Sequence, residues 1–164
     1  MRLIEDSENY TFKIAGYSIT HTKKTSDLYA RKKSYYSCEQ VHGNGIKVIK
    51  KDKKSYKDCD GLMTFEKLYN PIVIRTADCM PVFFFHEECD IYGGIHAGRK
   101  GTGLQIIQTM IDILKSSDVQ LHHIYFYLGP CICEKCYQID RIQDLHYSLV
   151  KENTKQLRKN GITD

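Results

Sequence analysis

The 164-residue chain has no tryptophan and only three prolines, and none of its apolar runs approaches the roughly 18 residues that a membrane-spanning helix needs. With so little proline there is no rigid linker at which to divide it, and no internal repeat or low-complexity tract appears. The expectation is one domain, 1–164, long enough to bury about two thirds of its unfolded surface in a core. The opening residues, MRLIEDSENY, put acids where an export signal carries its apolar stretch. No such signal is read, so the expected location is cytoplasmic. An even cysteine framework is lacking too. Seven cysteines, Cys38, Cys59, Cys79, Cys89, Cys131, Cys133 and Cys136, lie scattered, which favours reduced thiols over a secreted disulfide scaffold. Nor is there a large excess of one charge. The net charge is +4 and the pI about 8.6. The basic clusters at Lys23 and Lys24, 31–33 and 50–54 therefore read as solvated loops rather than a nucleic-acid surface.

What the sequence does have is short β-branched and aromatic runs bounded by turn residues. Residues 10–20 and 45–49 alternate as half-buried strands do. Residues 72–74, 82–85, 91–95 and 124–128 read as buried strands. Leu104, Ile107, Met110, Ile111 and Leu114 recur at three- and four-residue spacing, which predicts a helix beginning near Thr102 or Gly103. A second helix is predicted over 142–158, with Leu145, Leu149 and Val150 inward and Gly161 beyond its end. Helices too few to follow every strand point to a mixed α+β sandwich rather than a doubly wound parallel sheet.

Three short stretches place a metal-binding side chain at a glycine or a strand end: Gln40-Val41-His42-Gly43, Ala77-Asp78-Cys79-Met80-Pro81 and Ile95-His96-Ala97-Gly98. Their spacing fits no local zinc signature, so only a fold that brings all three loops together makes them ligands. The decisive geometry is convergence of the three ligand atoms to within roughly 4 Å of one another. Met80 beside Cys79 suggests a copper site with an axial thioether. Adjacent residues on an extended chain point opposite ways, however, which favours zinc. Cys133 and Cys136 have CxxC spacing, but a lone CxxC is weak evidence for a metal, and they read as loop thiols. Gly98, Gly101 and Gly103 would let backbone amides approach an anion, with Arg99 and Lys100 adding charge.

Taken in order, QVHG at 40–43, DG at 60–61, TADCMP at 76–81, GGIHAGRKGTG at 93–103 and GPCICEKCY at 129–137 resemble the laccase-domain family. That family is also known as multicopper polyphenol oxidases, purine nucleoside phosphorylases of that type, and peptidoglycan-editing factors. The resemblance implies a four-layer α/β/β/α sandwich similar to the catalytic domain of cytotoxic necrotising factor. It also implies His42, Cys79 and His96 as metal ligands, normally to zinc, with copper the lesser choice. One thiolate and two neutral imidazoles leave a fourth position open, as catalytic zinc sites do, and can lower the pKa of bound water toward about 7.

The activity implied is phosphorolysis of adenosine, inosine or guanosine, with adenosine deamination as a second reaction. Purine nucleosides and phosphate are then the partners. Cys79 and Asp78 are the expected catalytic groups, and Arg75, Arg99, Lys100 and Gln40 the expected substrate or phosphate contacts. Arg75 has an alternative role, pairing with Asp78. The chain departs from the family where HAGWRG becomes His96-Ala97-Gly98-Arg99-Lys100-Gly101, which replaces a bidentate fork by a point charge. It also looks shortened over 17–36 and at its C-terminus, so an exposed sheet edge and a homodimer are expected. Two other readings compete. In one, Cys79 is a nucleophile with His96 as its base, in an amidase acting on peptidoglycan precursors; in the other, the chain is a non-catalytic, degenerate member. A copper polyphenol oxidase is the weakest reading.

Overall fold

The computed structural model describes residues 2–6, 9–14, 17–22 and 34–163. The basic clusters at 23–24 and 31–33 lie outside them, as does most of the 17–36 segment. Strands β1 (Arg2–Asp6), β2 (Asn9–Ile14) and β3 (Tyr17–Thr22) form an antiparallel meander. The single strand expected over 10–20 is thus two strands, β2 and β3, paired antiparallel. Next come β4 (Tyr36–Cys38), β5 (Ile46–Val48), β6 (Ser55–Tyr56), β7 (Gly61–Thr64), β8 (Ile72–Val73), β9 (Met80–His86) and β10 (Tyr92–Ala97). Helices α1 (Arg99–Gly103) and α2 (Ile106–Ser116), strands β11 (Ile124–Leu128), β12 (Gln138–Asp140) and β13 (Leu145–His146), and helix α3 (Leu149–Lys159) complete the order.

The central sheet runs β11-β9-β10-β7-β5, antiparallel except for the β5–β7 pair. Its middle strands are almost wholly buried, as the apolar runs at 82–85 and 91–95 predict for β9 and β10, while β8 and β11, also expected to be buried strands, are only partly so. Side chains alternate across it. Met63, Val82, Phe84 and Ile95 pack against Ile107, Met110, Ile111 and Leu114 of α2 and Leu149 and Leu157 of α3. On the opposite face Leu62 joins Tyr36, Cys38, Tyr56 and Cys59 beneath the parallel sheet β6-β4-β8. The architecture is mixed α/β with helices on one face of the central sheet and a second sheet on the other. Among the described residues no helix covers the outer face of that second sheet, so the fourth layer of the expected sandwich is not seen.

Two helix boundaries differ from expectation. The first helical region breaks at Gln105, which is left-handed at φ 61°. A one-turn α1 starts at Arg99, directly after the glycine that follows His96 and Ala97, and Leu104 falls in the break, 47% exposed. The second helix begins only at Leu149, where the Ser148 hydroxyl caps it by accepting from the Lys151 amide at 3.3 Å. Residues 138–146 form the β12–β13 hairpin instead, so Leu145 lies in a strand rather than inward on a helix. Val150, on α3, is half exposed.

Helix α3 holds α1 in place through a buried polar contact. Asn153, fully buried, donates to the Thr102 hydroxyl at 3.1 Å and to the Leu149 carbonyl at 2.8 Å. Gln156 donates to the Thr102 carbonyl at 2.9 Å. Replacing Asn153 by Ala removes these bonds and leaves a buried hydroxyl short of its partner. Asn153→Ala is expected to lower unfolding free energy by about 1–3 kcal/mol, read from urea denaturation curves.

Candidate metal centre

The strand registers explain how three distant loops meet. In β10–β7 pairing Ile95 faces Gly61, so one step further His96 faces Asp60, and the His96 amide donates to the Asp60 carbonyl at 2.7 Å. In β5–β7 pairing Ile46 faces Gly61, and the Asp60 amide donates to the Gly45 carbonyl at 2.8 Å. In β10–β9 pairing Ala97 faces Met80, which sets Gly98 opposite Cys79. The ends of neighbouring strands thus deliver His96 and Cys79 to one edge of the sheet. The loop before β5 brings His42 over it.

The side-chain ligand atoms of His42, Cys79 and His96 all lie within 4.8 Å of one another. That is somewhat wider than the roughly 3.3–3.8 Å donor spacing of a filled tetrahedral zinc site. Closing onto an ion therefore takes side-chain adjustments of about 1 Å. The two imidazoles meet edge to face, ring centres 4.8 Å apart. His96 is buried, Cys79 half-buried and His42 exposed, so the cluster opens to solvent on the His42 side. One soft thiolate and two imidazoles suit a borderline metal such as zinc. Met80, by contrast, is 1% exposed in the core, on the other side of the strand from the cluster.

Asp60 organises the cluster, a role that the sequence alone, where it is only part of the DG block, does not assign to it. Its carboxylate is completely buried. Oδ1 accepts from the His42 amide at 2.9 Å and lies 2.9 Å from His96 Nδ1, while Oδ2 accepts from the Gly43 amide at 2.7 Å. With a backbone N–H on each oxygen, the group serves as an acceptor and holds the His96 proton on Nδ1. The Nε2 lone pair is left free for a metal. Gln40 and His42 are both left-handed, at φ 60°. That turn aims two successive amides at one carboxylate, and such strained backbone characteristically collects at functional sites.

Gly98 closes the floor of the site. A Cβ built there would stand 2.9 Å from Cys79 Sγ, 3.4 Å from His42 Cδ2 and 3.5 Å from His96 Cε1. Gly101 has a different reason: its Cβ would meet the Gly43 carbonyl oxygen at 2.6 Å, so α1 can lie against the His42 loop only without a side chain.

The remaining expected site residues are spread around this core. Gln40 does not reach the ligands. Its side-chain amide donates to the Arg75 carbonyl at 2.6 Å and accepts from the Arg75 amide at 2.9 Å, clamping the two loops together. The Arg75 guanidinium donates to the Cys38 carbonyl at 3.2 Å; no ion pair joins it to Asp78 among the described residues. Asp78 is exposed and left-handed at φ 73°, and its carbonyl accepts from the Ile132 amide at 2.8 Å. Arg99 and Lys100 are exposed on α1. Burial pushes the Cys79 thiol up, and the Asp78 and Asp60 carboxylates add to that.

The family model described as multi-copper polyphenol oxidoreductase laccase matches residues 20–163, and the chain belongs to that family. It is 28% identical over 155 residues to the purine nucleoside phosphorylase of Borreliella burgdorferi, covering 87% of this chain and 67% of that one. It is 32% identical over 122 residues to the purine nucleoside phosphorylase YlmD of Bacillus subtilis, covering 68% and 44%. The crystal structure of YlmD from Geobacillus stearothermophilus superimposes with a TM-score of 0.73 at 24% identity, covering 80% of this chain and 60% of that one. That likeness shows the fold. The chain spans about half the length of the curated relatives it matches.

If Asp60 sets the tautomer and orientation of His96, Asp60→Asn is expected to weaken zinc binding about 10–100-fold. Competition with a chromogenic chelator measures this, with circular dichroism confirming that the variant is folded.

Proposed function

We infer from membership of this family that the chain is an enzyme acting on purine nucleosides, a zinc-dependent phosphorylase that converts nucleoside and phosphate to free base and ribose 1-phosphate. The observation that carries the reading is the convergence of His42, Cys79 and His96 at one edge of the sheet, on the open side of a buried Asp60. The names of its relatives supply the substrate class. In the reaction a phosphate oxygen bonds to ribose C1′ while the bond from C1′ to the purine nitrogen breaks, and the departing base takes a proton.

Each residue has a part in this reading. His42, Cys79 and His96 hold the zinc, which when bound supplies a positive centre that polarises an oxygen or nitrogen of the substrate. Asp60 keeps His96 in the ligating tautomer. Arg99 and Lys100 follow Gly98 directly and offer two exposed positive charges to phosphate. Lys100 acts as a point charge rather than a bidentate clamp. Arg75, whose guanidinium donates to the Cys38 carbonyl, is a further phosphate contact. The exposed carboxylate of Asp78, beside Cys79, is placed to move a proton to or from the purine. That position also supports hydrolytic deamination of adenosine as a second activity.

The Cys79 thiol itself speaks for the ligand role over the nucleophile role. Reactive cysteines sit in electropositive surroundings that favour the thiolate, whereas Asp78 and Asp60 disfavour it here. Coordination reverses that balance, since a metal stabilises the thiolate directly.

Zinc-loaded protein is expected to release adenine from adenosine only when phosphate is present. Cys79→Ser and His42→Ala should reduce this to background. Chromatography of base, nucleoside and ammonia separates the outcomes. Base release without phosphate, or ammonia with no base, would replace phosphorolysis by hydrolysis or deamination. Stoichiometric zinc with no turnover of adenosine, inosine or guanosine would overturn the reading.

A further inference from the structure

The proposed reaction leaves Cys133-Glu134-Lys135-Cys136 unused. Their surroundings differ from those of the other thiols. Cys38 and Cys59 are buried, and burial, reinforced by the neighbouring Cys59 and Asp60, pushes the Cys38 thiol up to about 12. Cys133 and Cys136 are both exposed. They bracket a 3₁₀ turn, Glu134–Cys136, in which the Cys136 amide donates to the Cys133 carbonyl at 3.0 Å. Such a turn eclipses side chains three apart. A hydrogen bond joins the Cys133 and Cys136 thiols, whose sulfur atoms lie 2.6 Å apart, well inside van der Waals contact.

The turn is held from several sides. Lys151 Nζ pairs with Glu134 Oε2 at 2.7 Å. His146 Nδ1 donates to the Glu134 carbonyl at 3.1 Å. On the N-terminal side the Ile132 amide is bonded to Asp78 at 2.8 Å. Two accessible thiols are thus pre-organised within bonding reach, and closing an S–S bond moves little else.

We propose that Cys133 and Cys136 form a reversible dithiol–disulfide pair that exchanges electrons with small disulfides. Cys133, at the N-terminal end of the turn, is the attacking group: the hydrogen bond it shares with the Cys136 thiol, with the backbone amides of Cys136 and Lys135 and the Lys135 charge adding to it, holds its thiol below the usual range, while the same bond holds Cys136 above. The Cys133 thiolate bonds to one sulfur of a disulfide RSSR, whose S–S bond breaks to release RS⁻. Cys136, losing its proton, then attacks Cys133 Sγ and expels the second RS⁻. Both thiolates take up the two protons the cysteines gave. The protein dithiol is oxidised by two electrons and RSSR is reduced to two RSH.

The test exposes the reduced full-length chain to glutathione disulfide, alkylates the remaining thiols, and maps the products by mass spectrometry. Of the seven thiols, two should be lost from wild type, recovered by dithiothreitol, and found joined between Cys133 and Cys136. Cys136→Ser should accumulate one glutathione on Cys133, several-fold faster than on Cys89, an exposed thiol elsewhere in the same molecule. Cys133→Ser should show no such acceleration at Cys136. Seven alkylatable thiols after exposure, a different disulfide, or an adduct at Cys133 no faster than at Cys89 would overturn the proposal.

Discussion

A single buried carboxylate, Asp60, ties together the parts of this protein that matter for its chemistry. Burying an unpaired charge costs several kcal/mol, and a carboxylate in a completely buried position is tolerable only if donors surround it. Here two amides of the His42 loop and one imidazole of β10 do so, while the Asp60 backbone continues the ladders to β5 and β10. The residue therefore fixes where the loop lies relative to the sheet and which nitrogen of His96 faces outward. Misplace it, and two of three ligands lose their orientation.

The sheet around Asp60 turns register into chemistry. β5, β7, β10 and β9 come to their ends in step. The end of β10 and the residues just beyond the paired strands then present His96, Asp60 and Gly98 beside Cys79, and glycines at 98 and 101 keep that row thin enough for α1 and the His42 loop to close on it. The strain stored at left-handed Gln40, His42 and Asp78 is carried by the packing beneath, where α2 and α3 seal one face of the sheet and β6-β4-β8 the other. Rigid strands hold the deep ligand and a loop holds the shallow one, which leaves the approach to the cluster on the His42 side.

Much of this was legible beforehand. Strand β11 falls where its apolar run placed it, although it is only partly buried, and every end of β9 and β10 lies within two residues of its run, because a strand buried on both faces must be apolar on both. His42, Cys79 and His96 were legible as ligand types beside glycines and strand ends. Asp60 was not assigned a role, since an aspartate before glycine reads locally as a turn; only its family block marked it. The second helix was overextended toward Ile142 because Leu145 and Leu149 sit four apart, a helical spacing, whereas the residues before Ser148 pair as a hairpin. Gln40 looked like a substrate contact from its chemistry, but its side-chain amide spends its hydrogen bonds on the Arg75 backbone, which the sequence could not bring near.

By itself the sequence determined the strands at its most apolar runs, which side chains have affinity for a soft metal, and the family to which the chain belongs. These depend on local periodicity and residue chemistry, which are written along the chain. Only the tertiary structure decided that residues 42, 60, 79 and 96 share one edge of a sheet, that Met80 faces the core, and that two thiols of a weak motif touch in the open. The first two outcomes depend on strand register and on the direction each side chain takes from its strand, and a shift of one residue in pairing would reverse both; the third depends on a 3₁₀ turn that eclipses side chains three apart.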